Sequence, residues 1–225
     1  MLQHRTVDEL MTRKVVQVRL DTPFKEIVRE LAENDVTAVP VVACDGRVVG
    51  VVSEADLMRK SADQPDPFGR VPVPDLKAWD RAKAEGARAE DVMSAPPVCA
   101  RPEWNLGETA RLMTVQGVKR LPVVDETDKL VGIISRADIL RVFLREDSAI
   151  REEIHRDLLQ RTLGLAPSAV TAAVAEGQVT LTGSVEARSM IPVIERLCRS
   201  VDGVVGVHQR LTYTHDDTGG RFPAP

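Results

Sequence analysis

The chain writes one pattern twice. Residues 36–58 read VTAVPVVACDGRVVGVVSEADLM and residues 118–140 read VKRLPVVDETDKLVGIISRADIL. Pro40 aligns with Pro122, Gly50 with Gly132, Ser53 with Ser135 and Asp56 with Asp138, every pair 82 positions apart. The match runs back to Met11 and Met93 and forward to Arg59 and Arg141. A constant offset marks a duplicated structural unit, and two copies predict a pseudo-symmetric pair, because a solenoid needs about three or more repeats.

Within one unit the hydrophobic pattern changes period. Residues 15–18 read as a short strand. Asp21-Thr22-Pro23 predicts a helix start, a capping side chain followed by Pro at the first helical position. Phe24, Ile27, Val28 and Leu31 then recur on one helical face, and Asn34-Asp35 ends the helix. Strands over 39–43 and 48–52 flank Asp45-Gly46, a hairpin turn where Gly tolerates positive φ. Ser53 opens a second helix running through Lys60. The unit is expected to be β-α-β-β-α.

The second copy predicts a strand at Val98, a helix carrying Leu106, Ala110 and Met113, strands over 121–124 and 130–134, and a helix from Ser135 to Glu146. Between the copies, Pro65, Pro67, Pro72 and Pro74 punctuate a polar stretch that no strand accommodates. Residues 61–88 read as a crossover linker, with one exposed helix over 75–85 anchored by Trp79.

A third, unrelated segment begins near Ser148. A helix carries Ile150, Ile154, Leu158 and Leu159, and strands over 170–175 and 179–185 surround Glu176-Gly177. A helix over 189–200 places Ile191, Ile194, Leu197 and Cys198 on one face, with Pro192 tolerated in its first turn. Asp202-Gly203 turns into a strand over 204–213. The order is α-β-β-α-β. For Gly177, Gly183 and Gly203, turn and bulge geometry is the favoured role over ligand contact. From 215 the Gly- and Pro-rich tail is expected to be disordered.

Composition narrows the function classes. A net charge of −4 over 225 residues gives no basic field for nucleic acid. Cys44, Cys99 and Cys198 are scattered, with no C-x-x-C, so neither a disulfide framework nor a zinc site is suggested. The histidines form no H-E-x-x-H and the lysines no phosphate-binding G-x-x-x-x-G-K-[ST]. The opening residues lack an apolar signal-peptide region, and no apolar run is long enough to span a bilayer. The expected location is the cytoplasm, and an enzyme is not expected.

The repeated Gly, two apolar residues, Ser-x-x-Asp has two physical readings. One is a capping arrangement that satisfies backbone N–H groups at a helix start. The other is a nucleotide cradle. A helix N-terminus attracts phosphate, the Ser hydroxyl adds a donor, and an ionised Asp, acceptor-only, suits a ribose diol. Gly50 and Gly132 leave room for close approach of ligand or backbone. Two copies, each following x-Pro-Val-Val and a hairpin, favour the cradle.

The two blocks, with D-E-L-M-T before V-V-Q-V and E-D-V-M-S before P-V-C-A, resemble cystathionine-β-synthase (CBS) domains over about residues 7–145. The resemblance implies an α+β tandem pair, a Bateman module, with two clefts between the repeats. It implies adenine nucleotide ligands (AMP, ADP, ATP or a related adenosyl compound), a regulatory role with no required cofactor, and a homodimer. By position, Asp56 and Asp138 would hold ribose hydroxyls, Ser53 and Ser135 would contact phosphate, and Val39-Pro40 and Leu121-Pro122 would line the adenine, partly through backbone. The linker is longer than usual for the family. The last segment resembles a BON domain, through G-Q-V-T-L-T-G-S-V and V-D-G-V-V-G-V, which implies a phospholipid or protein partner. The expected domains are 1–147 for the pair (repeats 7–60 and 89–147, linker 61–88), 148–214 for the BON domain and 215–225 for the tail.

Charge separates the two repeats. Lys119, Arg120 and Arg136 are expected beside Ser135 and Asp138, while Thr37, Ala38 and Glu54 stand at the equivalent places beside Ser53 and Asp56. Facing the clefts, those cations favour phosphate at the Ser135–Asp138 cleft; facing solvent, they matter little. The alternative to a nucleotide sensor is a non-catalytic interaction or membrane-docking scaffold with vestigial clefts.

Overall fold

The computed structural model describes residues 5–62, 83 and 85–218. They form two compact units, Thr6–Arg136 and, with Arg5, the chain from Ala137 onward.

In the first unit, helix α1 (Val7–Leu10) precedes a short strand β1 (Val18–Arg19), helix α2 (Phe24–Glu33) and the hairpin β2 (Ala38–Val42) and β3 (Val48–Ser53), which leads into helix α3 (Glu54–Ala62). The second copy gives α4 (Ala89–Val92), α5 (Leu106–Val115), β4 (Arg120–Val124) and β5 (Leu130–Ser135); α6 (Arg136–Leu140), which follows in the chain, belongs but for Arg136 to the second unit. β1 pairs parallel with β2, and β2 antiparallel with β3. The hairpins share one irregularity, a register shift at Val41/Val42 in one and at Val123/Val124 in the other.

Several expected boundaries move. The strand over 15–18 contracts to Val18–Arg19, and that at Val98 to a single bridge, Ala100 to Val123. Pro102, with no N–H to donate, follows at once. Pro23 sits at the N-cap of α2 instead of its first helical position, and the freed Phe24 N–H donates to Ala87 O at 2.8 Å. Its counterpart Asn105 caps α5 with its own side chain, accepting from Glu108 N at 2.9 Å. The helix expected over 75–85 lies outside the described residues, Lys83 and Glu85 excepted.

Each repeat sends its opening segment onto the other repeat's hairpin. Thr12 bridges Ile133, and Ser94 bridges Val51. Ala89 and Val92 lie in the core built by Ile27, Leu31, Val39, Val41 and Val52 of the first repeat. Shifting either bridge by the 82-residue offset yields the other, and the same holds for Thr6–Asn105 and Pro23–Arg88. The space above Gly50 and Gly132, expected for ligand or backbone, is filled by methionine. A Cβ on Gly50 would lie 2.9 Å from Met93 Cγ, and one on Gly132 2.9 Å from Met11 Cγ, with the sulfurs nearer still.

In the second unit, helix α7 (Asp147–Glu153) continues through wide π-type turns over Ile154–Thr162. Strands β6 (Val170–Ala175) and β7 (Gln178–Ala187) form a hairpin, and helix α8 (Met190–Arg199) crosses to β8 (Gly206–His215), which pairs parallel with β7. Glu176 and Gly177 both take positive φ in the hairpin turn, as two-residue hairpin loops require. Asp147 braces the turn by accepting from Glu176 N at 2.7 Å and Gly177 N at 2.8 Å. Ile150, Ile154, Leu158, Leu181, Ile194 and Cys198 form the core, and burial pushes the Cys198 thiol up to about 12.

The helix expected from Ser135 to Glu146 breaks. α6 gives way to a tighter 3-10 turn, Arg141–Leu144, and the chain is extended at Arg145. Arg145 anchors the break, donating to Asp202 O at 2.7 Å and Glu153 Oε2 at 2.6 Å. Residues 215–218, expected to belong to a disordered tail, are ordered. His215 pairs within β8, Asp216 meets Arg188 at 2.7 Å, and Asp217 accepts from Ser189 N at 2.9 Å ahead of α8. Residues 219–225 lie outside the described residues.

Gly132→Ala should destabilise the protein by about 1–3 kcal/mol through overpacking against Met11. Adding Met11→Ala should recover part of that loss, since residues in contact couple. Chemical denaturation of both variants checks this; strictly additive losses would contradict the packing.

Candidate functional site

A cavity of about 290 Å³ opens in the first unit where the repeats meet. Four stretches wall it. β2 and its approach give Thr37 and Ala38; β3 and α3 give Val51, Ser53, Glu54, Ala55 and Asp56; the exchanged segment gives Ser94, Pro96, Pro97 and Val98. The fourth, Gly117 to Arg120, comes from the second repeat. The Ser94–Val51 bridge is therefore what carries 94–98 to the wall.

Ser53 and Asp56 come together as the sequence expects. Ser53 donates to Asp56 Oδ2 from its N–H at 3.0 Å and from its hydroxyl at 2.6 Å, and Ser53 Oγ accepts from Asp56 N at 3.4 Å. This is the reciprocal arrangement of a capped helix start. Asp56 is only 5% exposed. Its other oxygen, Oδ1, accepts from Arg59 at 2.6 Å, Lys83 at 2.9 Å and Ser94 Oγ at 3.2 Å. Burial alone favours the neutral acid, but the bonds from Ser53 and Lys83 outweigh it and hold the carboxyl below its ordinary range. The capping reading is thus the local structure, set in the wall of a ligand-sized cavity.

Val39 and Pro40 do not face the cavity. β2 is buried along its whole length and Val39, at 0% exposure, packs into the core; the β2 residues on the wall are Ala38 and, just before it, Thr37. Leu121 and Pro122 are buried in β4 in the same way.

Arg120 and Lys119 are also placed differently from expectation. Arg120 lies opposite Ser135 in the backbone register, but its guanidinium crosses to Thr37 Oγ1 and to Ala38 O at 3.4 Å. Thr37 and Ala38 are the counterparts of Lys119 and Arg120 one repeat earlier, so the two segments face each other at the pseudo-twofold axis. Both cations consequently line the cavity that holds Ser53 and Asp56. Arg136 is exposed and donates to Val118 O at 3.0 Å. Ser135 closes β5, and Asp138, in the other compact unit, pairs with Arg141 at 3.0 Å.

Sequence reasoning missed Lys83 and Ser94. Lys83 sits in the segment read as a linker and is 5% exposed. A lysine is rarely so buried unless paired, yet nothing in the surrounding sequence marks it. Ser94 was legible only as the partner of Thr12 in the repeat alignment.

A duplicated helix-and-hairpin unit, with exchanged openings and a cavity beside a Ser-x-x-Asp helix start, is the architecture of a tandem pair of the Bateman type. The CBS-domain family model matches residues 7–63 and 89–145, and the BON-domain model residues 146–215. The chain belongs to the CBS-domain family, with a BON domain following the pair. An uncharacterized protein of Methanocaldococcus jannaschii is 27% identical over 153 residues, 61% of this chain and 90% of its own length. The chloroplastic CBS domain-containing protein CBSX1 of Arabidopsis thaliana is 32% identical over 154 residues, 62% of this chain and 64% of its own. The crystal structure of Arabidopsis CBSX2 in complex with AMP matches with a TM-score of 0.53 at 32% identity, over 62% of this chain and 96% of that one. Among the described residues no helix is long and apolar enough to cross a membrane.

Asp56→Asn should cost about 1–3 kcal/mol near neutral pH by removing a charged acceptor from Lys83 and Arg59. The folded carboxyl titrates below its unfolded value of about 3.9. Its contribution is therefore complete above that pH and lost as pH falls through the folded value. Melting temperatures of the two proteins should converge below about pH 4; parallel curves down to acid pH would contradict the assignment.

Proposed function

We infer that this protein is a non-catalytic regulatory sensor that binds a phosphorylated adenine nucleotide in the cavity holding Ser53 and Asp56. The observation that carries the reading is that Lys119 and Arg120 line the same cavity as the α3 helix start. A phosphate is drawn to the helix N-terminus and to a guanidinium that presents a planar fork of donors. Glu54 on the wall offsets part of this charge, while Asp56 is already neutralised by Lys83 and Arg59. Ala38, Val51, Pro96, Pro97 and Val98 give an apolar side for the base, and Asp56 is the ribose acceptor. At about 290 Å³ the cavity lies near the lower end of ligand pockets, roughly 300–1,000 Å³, which favours a monophosphate over a larger nucleotide. AMP in the crystal structure of CBSX2 supports the same ligand class. With its cations placed here, this cleft takes the phosphorylated ligand ahead of that of Ser135 and Asp138.

The nucleotide state would pass to the BON domain or to a partner. Val205 and Tyr213, 60% and 43% exposed, offer that domain apolar surface for a phospholipid or protein. Met58, 69% exposed on α3, suits a homodimer built on the CBS helices. A cytoplasmic location and the absence of nucleic-acid binding complete the reading. The competing reading, a scaffold with vestigial clefts, draws on the crowded Asp56 carboxylate, whose Oδ1 already has three donors.

Calorimetric titration separates the two. AMP should bind the full chain, and Arg120→Gln should weaken AMP by about tenfold to a hundredfold, the equivalent of one charge-assisted bond, while changing adenosine affinity little. Equal losses for AMP and adenosine would remove Arg120 from the phosphate site. No binding of either by the wild type would leave the scaffold.

A further inference from the structure

A ribose cannot reach Asp56 without displacing a donor already there. A carboxylate offers about four lone-pair sites. Ser53 N and Oγ occupy Oδ2, and Arg59, Lys83 and Ser94 meet Oδ1. These donors differ in what holds them. The Ser53 bonds form with the start of α3, and Arg59 stands one helical turn on. Lys83 is 27 residues away, and its ammonium reaches Asp56 and, at 3.0 Å, Ser94 Oγ. Withdrawing Lys83 leaves β3 and the start of α3 intact; withdrawing Ser53 does not.

Asp56 and Ser94 also line the cavity, so Lys83 holds the atoms that a ligand must meet. A neutral ribose diol competes there with an ammonium that is 5% exposed and bonded to a charged acceptor. Resting on the nucleotide reading of this cleft, we propose that Lys83 is an internal competitor for the ribose hydroxyls, and that ligand binding expels its ammonium from Asp56.

Apparent affinity is the intrinsic affinity reduced by the fraction of molecules competent to bind. With Lys83 docked in about 99% of molecules, removal of its charge would raise affinity about a hundredfold. The competitor acts on the ribose and not on the base or the phosphate, which separates it from a phosphate-binding lysine.

The test uses the full chain with Lys83→Met and Lys83→Gln, both checked for a cooperative melt. AMP and adenosine should each bind at least about tenfold tighter to the variants than to the wild type. 2′,3′-Dideoxyadenosine, which lacks both hydroxyls, should show no such gain. In the wild type, acetylation of Lys83 by an N-hydroxysuccinimide ester, read by peptide mass spectrometry, should be slow in the free protein and faster with saturating AMP. Unchanged or weaker AMP binding by folded variants would overturn the competitor while leaving nucleotide binding in place, as would an equal gain for the dideoxynucleoside. Should the variants not fold, a Lys83 acetylation rate indifferent to bound AMP would overturn it. Failure of both wild type and variants to bind AMP would sink this proposal and the nucleotide reading together.

Discussion

The first unit depends on an exchange. Met93 packs onto Gly50 of the other repeat's hairpin, and Met11 onto Gly132. Each methionine leads directly into a bridge, Ser94 to Val51 and Thr12 to Ile133. A side chain on either glycine would separate the strands that the methionines join. The first repeat does not close its own core, because Ala89 and Val92 of the second complete the packing around Ile27 and Val52. The cavity is a product of the same exchange, since Ser94, Pro96, Pro97 and Val98 reach its wall only because Met93 has crossed.

On that frame, electrostatics differ between two nearly identical repeats. The counterparts Thr37-Ala38 and Lys119-Arg120 confront each other at the pseudo-twofold axis, and only one pair is charged. The cations therefore fall on the cavity belonging to the other repeat's Ser-x-x-Asp. Asp56 is the local counterweight, buried and held ionised by Ser53, Lys83 and Arg59. A buried charge persists only when paired and hydrogen-bonded, so the state of this carboxylate is tied to whichever donors surround it.

Much of this was legible in the sequence. The constant offset predicted the paired units, Ser53 and Asp56 were expected together at a helix start, and Val170 to Val185 was recognisable as a hairpin around Glu176-Gly177. What was hidden has physical causes. The strand alternation and helix periodicity that reveal local elements say nothing about which repeat an opening segment joins, so the crossing of Met11 and Met93 was invisible. The reach of Arg120 to Thr37 and Ala38 was hidden because register fixes where its Cα lies, not where a long side chain ends. Lys83 lay in the part of the linker read as an exposed helix, where nothing marks one lysine for burial. Asp217 braces α8 from 28 residues away, so the capping signal was absent from the residues just before that helix. Glycines 177, 183 and 203 all adopt positive φ, in keeping with their reading as backbone positions.

The account turns on where a phosphate would sit, and the most direct measurement is a crystal structure of the full chain grown with AMP. The phosphate is expected within hydrogen-bonding reach of Arg120 and the start of α3, with the ribose against Asp56. AMP bound only beside Ser135 and Asp138, or a Ser53–Asp56 cavity left empty under saturating AMP, would contradict it.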